Sequence, residues 1–310
     1  MDCFSGCESL ESAKYLSGVT EVREKEFYNC TNLKTIEFAD TIQSVRRYAF
    51  YGTGIEILEL PNSLEEIGDY AFSSMESLKT ITFSNNLKSI GNYAFAFDDF
   101  LKSISLPESL ETIGNKAFFY GGGLEGTITI PENVISIGNS VFEGNWKIEK
   151  IIFENSNINV SDRIVINGYT MYVGDTYKPL EGLKLSKINT TDESCINISS
   201  DGTITALKTG KDISVDYYVE GQDNFVVSTI ITIVQPTKLE DININKTHLD
   251  LKIGDSEKLT VIYNPSNTTD DKTLNFISSD NNVATVDEKR KYKSSRLWSC
   301  NYYNKMWKYY

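Results

Sequence analysis

Apolar and polar residues alternate along the first half of the chain in short runs that return with a fixed period. The first run, Leu33 to Phe38, places apolar residues on one side and Lys, Thr and Glu on the other. Alternation of this kind predicts a strand with one buried face. Similar runs occupy residues 33–38, 55–60, 78–83, 101–106, 124–130 and 148–153. Strands this short cannot bury their apolar faces alone, so we expect them to stack as a parallel sheet over one continuous core.

A phenylalanine closes each repeating unit and recurs every 22 to 24 residues. The series runs Phe27, Phe50, Phe72, Phe95, Phe118 and Phe142, with a partial earlier copy at Phe4. A period between 20 and 50 residues is typical of repeat architectures rather than of a domain with a single compact core. Repeat solenoids mostly use their long surface for binding, which makes catalysis less expected.

The second half of each unit returns the chain to the next strand. It carries two further inward apolar residues, such as Leu64 and Ile67, followed by a glycine in four of the units. We predict that Gly68, Gly91, Gly114 and Gly138 form corners with positive φ, a conformation that glycine adopts without steric cost. Arg46 stands at this position in an earlier unit, where the corner must be built differently.

These units resemble the BspA-like leucine-rich repeat family, whose units read Leu-Pro-x-Ser-Leu-x-x-Ile-Gly-x-x-Ala-Phe. Residues 60–72 and 106–118 match this pattern almost letter for letter. The resemblance covers about residues 1–155 and implies a curved, right-handed solenoid. It also implies a secreted or cell-surface protein, because members of the family are typically found there, and several of them act as adhesins.

The second half of the chain contains two related segments of short strands and turns. Residues 238–287 carry Leu-x-Leu-x-x-Gly-Asp, Asn-Pro-Ser-Asn and Val-Ala-Thr-Val-Asp, and residues 160–235 carry a divergent version of the pattern. Both are similar to the bacterial Ig-like group 2 domain, a β-sandwich that serves as a spacer or stalk. The predicted fold is therefore mainly β, with a solenoid at 1–155, an Ig-like sandwich at 156–236 and a truncated one at 237–287.

Residues 288–310 do not continue the second Ig-like pattern. They contain seven basic residues, one acid and an aromatic string in place of the expected Asn-Gly turn and final strands. Codons exist for this segment that, read one base later, spell KNGNIKALDYGVAIITTKCGN, which aligns with residues 201–215. We interpret the segment as a frameshifted, disordered tail that leaves the last sandwich incomplete. The alternative is a basic-aromatic patch for nucleic acid or membrane.

The charge and the hydropathy of the chain exclude two classes of partner for its body. The net charge is −13; without 288–310, 23 basic and 42 acidic residues remain, a charge of −19. Such a surface repels nucleic acids and anionic lipids. No apolar run reaches the length of about 18 residues that a membrane span needs. Because the chain opens inside a repeat without a polar cap or signal peptide, we expect it to begin partway through a longer extracellular protein.

Candidate catalytic chemistry is sparse. The single histidine, His248, precedes a predicted strand and has no nucleophile and acid to complete a triad. The Gly-rich segment 121–126 lies in a repeat loop without a following helix, which argues against a phosphate site. Cys7 and Cys30 share one repeat position, and we expect small buried side chains there rather than a disulfide. The sequence therefore predicts no enzyme, no cofactor and no metal; Asp98 and Asp99 are more typical of solvated loop charge than of a calcium site.

Exposed rows of side chains are better candidates for function. Two rows recur once per unit: on the strands Glu37, Glu59, Thr82, Ser105 and Thr129, and on the return segments Tyr48, Tyr70 and Tyr93. A polar or aromatic row on a rigid slab offers contact area at low entropic cost. The competing interpretation is that the tyrosines only stabilise neighbouring repeats.

The sequence predicts a non-enzymatic surface or secreted protein that binds a host or neighbouring-cell protein or glycan through the solenoid. It predicts no binding of nucleic acid and no membrane insertion by this segment. Two alternatives stay open: an accessory region of a larger secreted hydrolase, and a structural component of the cell envelope.

The frameshift is testable in the gene. We expect the codons for residues 288–310, read one base later, to spell the Asn-Gly turn and strand given above. The codons for residues 201–215, which encode the same elements in frame, are the control. Codons that cannot spell that string would end the hypothesis.

Overall fold

The computed structural model describes residues 4–160, 163–222, 226–244, 248–253, 255–258, 260–264, 268–270, 284–286, 291–294 and 298–301. Every regular element within these ranges is a β-strand, as the alternating runs predict. The chain divides into two compact units, residues 1–234 and residues 235–310.

The first unit begins with a solenoid whose repeats contribute a longer and a shorter strand, except the repeat at 101–106, which has only the shorter one. The strands are β1 (Ser12–Lys14), β2 (Glu21–Val22), β3 (Thr35–Glu37), β4 (Ser44–Val45), β5 (Ile57–Glu59), β6 (Glu66–Ile67), β7 (Thr80–Thr82), β8 (Ser89–Ile90), β9 (Thr112–Ile113), β10 (Glu125–Ile130), β11 (Ser136–Ile137), β12 (Lys147–Phe153) and β13 (Asn159–Val160). The short strands form one parallel sheet in the order β13-β11-β9-β8-β6-β4-β2. The longer strands pair in parallel as β1-β3, β5-β7 and β10-β12.

The predicted strand at 101–106 is wrong as a strand, although its side chains follow the predicted pattern. Leu101 and Leu106 are buried, and Ile104 is half-buried. The Glu125 amide still donates to the Lys102 carbonyl at 3.0 Å, so the rung is held without a regular ladder. The repeat sheet itself continues to Val160, five residues beyond the boundary drawn from the sequence.

The closing phenylalanines form a single file of stacked rings through the core. From Phe4 to Phe142, successive ring centroids lie 5.2–5.7 Å apart, with planes within 14° of parallel. All but Phe4 are buried. Offset stacking of this kind adds to the free energy gained by burying each ring. The file joins every rung to the next and makes the solenoid one continuous core.

The glycines at the corners have a different role from the predicted one. Gly68, Gly91, Gly114 and Gly138 do not have positive φ. A Cβ on Gly91 would lie 2.6 Å from the Gly68 carbonyl carbon, and a Cβ on Gly138 would lie 2.3 Å from the Asn115 nitrogen. Glycine is required because adjacent rungs approach too closely for any side chain.

The left-handed residues lie on either side of the buried phenylalanine instead. Residues two before it (Lys25, Tyr48, Tyr70, Tyr93, Lys116 and Ser140) and two after it have φ between 50° and 85°. This conformation directs alternate backbone amides along the solenoid axis. The Tyr70 N–H donates to the Asn92 carbonyl at 2.9 Å, and the Phe72 N–H donates to the Ala94 carbonyl at 2.9 Å. The turns are thereby bonded rung to rung, which offsets the conformational cost of the left-handed residues.

A two-sheet sandwich follows within the same unit. Its strands are β14 (Arg163–Tyr172), β15 (Thr176–Tyr177), β16 (Leu180–Glu181), β17 (Leu185–Thr190), β18 (Ile196–Ile198), β19 (Ile204–Ala206), β20 (Gly210–Val219) and β21 (Val226–Val234). One sheet has the order β14-β21-β20-β17 and the other β15-β19-β18. The first and last strands, β14 and β21, are parallel partners. The two sheets occupy the region where the sequence predicts a sandwich, and its Ig-like class stays a prediction.

The sandwich also covers the end of the solenoid. Strand β16 pairs in parallel with β12, with Ile151 opposite Leu180, and so extends the sheet formed by β10 and β12. The Tyr177 hydroxyl donates to the Glu149 backbone carbonyl at 2.6 Å. The side-chain amide of Gln222 donates to the Ile158 backbone carbonyl at 2.5 Å. Covering a sheet edge in this way blocks its pairing with other chains.

The second unit contains short antiparallel pairs. Its strands are β22 (Asp241–Ile244), β23 (His248–Leu251), β24 (Ser256–Lys258), β25 (Val261–Asn264), β26 (Ala284–Val286), β27 (Lys291–Ser294) and β28 (Trp298–Asn301). They pair as β22-β25, β23-β28 and β24-β27-β26. Two of these strands lie within 288–310, the segment interpreted as a frameshifted, disordered tail. That interpretation stays a prediction for the gene to test.

One position of the repeat, three residues after the phenylalanine, is buried but changes in chemistry. Cys30, Met75 and Asp98 occupy it in different rungs. No disulfide links Cys30 to Cys7; Cys30 is buried as expected, whereas Cys7 is exposed. Asp98 accepts the Met75 amide through Oδ1 at 2.8 Å, and its Oδ2 has no hydrogen-bond partner among the described residues. Burial therefore raises the pKa of Asp98 well above its ordinary value of 3.8.

The close packing at the corners predicts a steric penalty. We expect Gly91→Ala to lower the free energy of unfolding by about 2 kcal/mol, since its methyl group overlaps the preceding rung. Gly18→Ala is the control, because it meets no atom within 4 Å and adds only left-handed strain of about 1 kcal/mol. Urea unfolding followed by circular dichroism measures both. An equal loss in the two variants would contradict the proposed role of Gly91.

The burial of Asp98 predicts that replacing its carboxyl group with an amide stabilises the folded protein, by an amount that depends on pH. The folded protein keeps a proton on Asp98 that the unfolded chain releases above about pH 4, so the protein loses stability as the pH rises from there toward the raised pKa. We expect Asp98→Asn, which keeps the Oδ1 acceptor, to be more stable by about 1–3 kcal/mol at pH 7 and equal near pH 3. Thermal unfolding across this range tests it. Asp99→Asn, exposed and adjacent, should change stability by no more than about 0.5 kcal/mol, and a destabilised Asp98→Asn at pH 7 would refute the argument.

Candidate functional site

The strand row lies on the outer face of the longer strands and, at Ser105, of the irregular segment that replaces one of them. Its five members, Glu37, Glu59, Thr82, Ser105 and Thr129, are all exposed. Glu59 and Thr82 are register partners across β5 and β7, which places their side chains side by side. The backbone beneath is fixed by buried neighbours on the opposite face, such as Leu58 and Leu60. The row is therefore a regular polar strip on a rigid support.

Ion pairs lie beside this row. Lys14 bonds Glu37 at 2.5 Å, and Lys79 bonds Glu56 at 2.7 Å, with all four side chains largely exposed. The hydrogen bond from Lys79, and then its charge, lowers the pKa of Glu56. Exposed pairs of this kind add little stability. They leave the charges accessible to a partner.

The tyrosine row lies on the turn segment before each buried phenylalanine. Tyr48 and Tyr70 stack with centroids 4.7 Å apart, as do Tyr70 and Tyr93, and all three are half-buried. Burial raises the pKa of Tyr70, and the neighbouring Tyr93 and Tyr48 add to the effect, so its phenol stays a hydrogen-bond donor. Since the central ring is covered on both faces, it presents its edge and hydroxyl rather than a face.

The tyrosine row is the centre of a longer aromatic surface. Ring contacts of 4.5–6.3 Å connect it to further rings at both ends. We define the aromatic ridge as Tyr28, Tyr51, Tyr48, Tyr70, Tyr93, Phe119, Phe97, Tyr120 and Trp146. The added rings occupy several different offsets from the closing phenylalanine. Sequence reasoning missed them because it compared only one offset.

A polar groove of about 610 Å³ runs along the sheet of short strands. Its floor includes Gly68, Gly91 and Gly114, where side chains are excluded by rung packing. One wall is a ladder of hydrogen bonds between successive rungs. Asn92 Oδ1 accepts from the Asn115 backbone N–H at 2.8 Å, and Asp69 Oδ1 accepts from the Asn92 backbone N–H at 2.7 Å. Because these oxygens already bond within the ladder, the groove offers fewer open groups than the strand row does.

The Gly-rich segment 121–126, weighed above as a phosphate site, has a packing role in the structure. Gly123 packs against the Asp99 and Leu101 carbonyls, where a Cβ would lie 2.6 and 2.7 Å away. Among the described residues, no cluster of three or more His, Cys, Asp and Glu is arranged to hold a metal. The side chain of His248 lies outside the described part of the structure.

Within the described ranges, the protein has no helix whose length and hydrophobicity would let it cross a bilayer.

Comparison with protein families gives two matches. The model of the BspA type leucine rich repeat region matches six copies over residues 1–125 and 88–168, which together exceed half of the chain. The model of the bacterial Ig-like domain, group 2, matches residues 239–293. A search of curated proteins gives no match.

Several solved structures are similar to part of the chain. A leucine-rich repeat protein from Bacteroides ovatus is 21% identical, with 54% of this chain and 58% of that chain covered and a TM-score of 0.34. The leucine rich repeat protein of T. pallidum is 27% identical, with 50% and 74% covered and a TM-score of 0.43. A leucine rich cell surface protein from Faecalibacterium prausnitzii is 20% identical, with 54% and 57% covered and a TM-score of 0.28.

The chain thus spans 58% of the length of the Bacteroides ovatus protein. The stacked repeats, their spacing and the family match agree with one another over the first half of the sequence. The chain belongs to the BspA-type leucine-rich repeat family and carries a group 2 bacterial Ig-like domain in its C-terminal part.

Proposed function

We propose that the protein is a non-enzymatic adhesion protein of the cell surface or the extracellular medium. Its solenoid binds a host or neighbouring-cell protein or glycan. The Ig-like domains act as a stalk that holds the solenoid away from its anchor. The proposal depends on one observation, the row of five exposed residues that recurs once per repeat along a rigid support.

The support for a binding role comes from the way the row is built. The backbone beneath the row is held by buried apolar neighbours such as Leu58, Leu106 and Ile128, so little backbone entropy is lost when a partner binds. The row is uncharged at Thr82, Ser105 and Thr129 and acidic at Glu37 and Glu59. Hydroxyls and carboxylates in a line match a partner that donates hydrogen bonds.

The overall charge narrows the class of partner. A net charge of −13 disfavours nucleic acids and anionic membranes and favours neutral or basic partners. The tyrosine row adds amphipathic edges, of the kind enriched where proteins bind one another. We therefore include Tyr48, Tyr70 and Tyr93 in the proposed binding face.

The experiment measures attachment of the full chain to epithelial cells and to an array of matrix proteins and glycans. We expect Thr82→Arg combined with Ser105→Arg to weaken binding at least tenfold, since two bulky cations then interrupt the row. That factor corresponds to about 1.4 kcal/mol. Binding that is unchanged by this double variant would refute the role of the strand row.

Two further variants complete the design. Glu132→Arg, on an exposed turn outside the row, should bind like the natural protein. Tyr48→Phe, Tyr70→Phe and Tyr93→Phe together keep the ring stack and remove its hydroxyls. Weaker binding by this triple variant would support a contact with the partner, and unchanged binding would confine the tyrosines to stabilising the rungs. A full chain that binds nothing on the array or on cells would favour a structural role in the envelope.

A further inference from the structure

A second surface feature lies where the solenoid meets the first sandwich. Strands β10, β12 and β14 line an open pocket of about 430 Å³, which is within the range of small-ligand sites of about 300–1,000 Å³. Trp146, Tyr169 and Glu149 are among the residues that line it. This pocket is separate from the strand row of the proposed function.

Two interruptions of regular pairing create the pocket. Between β10 and β12, Gly126 pairs with Ile148 and Thr127 pairs with Lys150, so Glu149 is an extra, bulged residue. Between β14 and β21, Ile166 pairs with Thr229 and Tyr169 with Ile231, so residues 167 and 168 face a single residue. Bulges redirect side chains and are enriched beside functional sites.

The glycines at these interruptions keep the pocket open. Gly126 and Gly168 both have positive φ, at 75° and 53°. A Cβ on either would meet no atom within 4 Å. Unlike the corner glycines of the repeats, they are not needed for close packing, and they leave space in front of the bulges.

The polar groups of the pocket are uncommitted. Glu125, Lys147 and Glu149 are exposed and make no side-chain hydrogen bond or ion pair to any residue that the structure describes. The backbone carbonyl of the bulged Glu149 accepts a hydrogen bond from the Tyr177 hydroxyl. This bond fixes the backbone and leaves the Glu149 carboxylate available to a ligand. Burial, followed by the Glu149 charge, raises the pKa of Tyr169, so its phenol remains a donor.

Trp146 supplies an apolar platform beside these groups. It is 56% exposed, and its neighbour Tyr120 meets it edge to face at 6.3 Å. This contact leaves at least one face of the indole open. The indole therefore offers a flat apolar face beside the carboxylates of Glu125 and Glu149.

We propose that the pocket binds a neutral sugar residue of a glycan, with the ring stacked on Trp146 and its hydroxyls bonded by Glu125, Glu149 and Tyr169. One face of a pyranose ring carries C–H groups that pack on an indole. Its hydroxyls donate to carboxylates, which form charge-assisted hydrogen bonds. The sugar hydroxyls also accept hydrogen bonds from the Lys147 ammonium and the Tyr169 phenol.

The charges of the pocket select among possible ligands. Two carboxylates and one ammonium give it a formal charge of −1, which disfavours sialylated or sulfated sugars. A lysine or arginine side chain of a partner protein would be attracted by the glutamates but repelled by Lys147. A ligand that both donates and accepts hydrogen bonds, as a neutral sugar does, satisfies all of these groups.

The test is a glycan array probed with the full chain, followed by titration with neutral methyl glycosides and N-acetylhexosamines. Sialyllactose and free arginine are the competing ligands. We expect neutral sugars to bind and Trp146→Ala to weaken them at least tenfold. Phe100→Ala is the matched control, since Phe100 is equally exposed at 56% and lies outside the pocket.

Two more variants test the role of the carboxylates and the specificity of the effect. Glu125→Gln with Glu149→Gln should also weaken sugar binding, and Glu132→Arg, on an exposed turn outside both the pocket and the strand row, should leave it intact. The proposal is overturned if no neutral sugar binds, if only sialyllactose or arginine binds, or if Trp146→Ala binds as well as the natural protein.

Discussion

The contact between successive rungs is the constraint on which the rest of this protein depends. No rung has a core of its own, and each phenylalanine ring inside the file is covered by the rings before and after it. Rungs close enough to stack their rings also bring their backbones together, which excludes a Cβ at Gly91. The left-handed turn residues follow from the same demand, because they direct alternate amides to the next rung. Packing, glycine placement and turn conformation thus have one cause.

The sequence was sufficient to predict the repeat, the phenylalanine that closes each unit and the buried side of each strand. These follow from a period of two within the strands and of about 23 between them. The role of Gly91 was not predictable, since a positive φ and a close approach both require glycine and only coordinates separate them. The left-handed conformation of Tyr70 was hidden because tyrosine carries no local signal for it. The junction pocket unites Trp146 with Tyr169, whose proximity depends on two bulges that periodicity does not encode.

The two candidate surfaces differ in origin. The strand row exists because the repeat is regular, so its residues are equivalent and its contact area grows with the number of rungs. The junction pocket exists because the repeat stops: β12 gains a bulge, and β16 of the sandwich takes the place of a further rung. A surface of the first kind suits a broad partner, and one of the second kind suits a small ligand. A protein that carries both can combine a weak, extended contact with a local, selective one.

The parallel pairing of β14 with β21 has a mechanical consequence. These strands begin and end the first sandwich, and they pair over eight residue positions. A pull that separates the solenoid from the chain after Val234 moves the two strands in opposite directions along their length. Their hydrogen bonds are then loaded together in shear instead of being opened singly. The sandwich is therefore built to transmit tension along the chain.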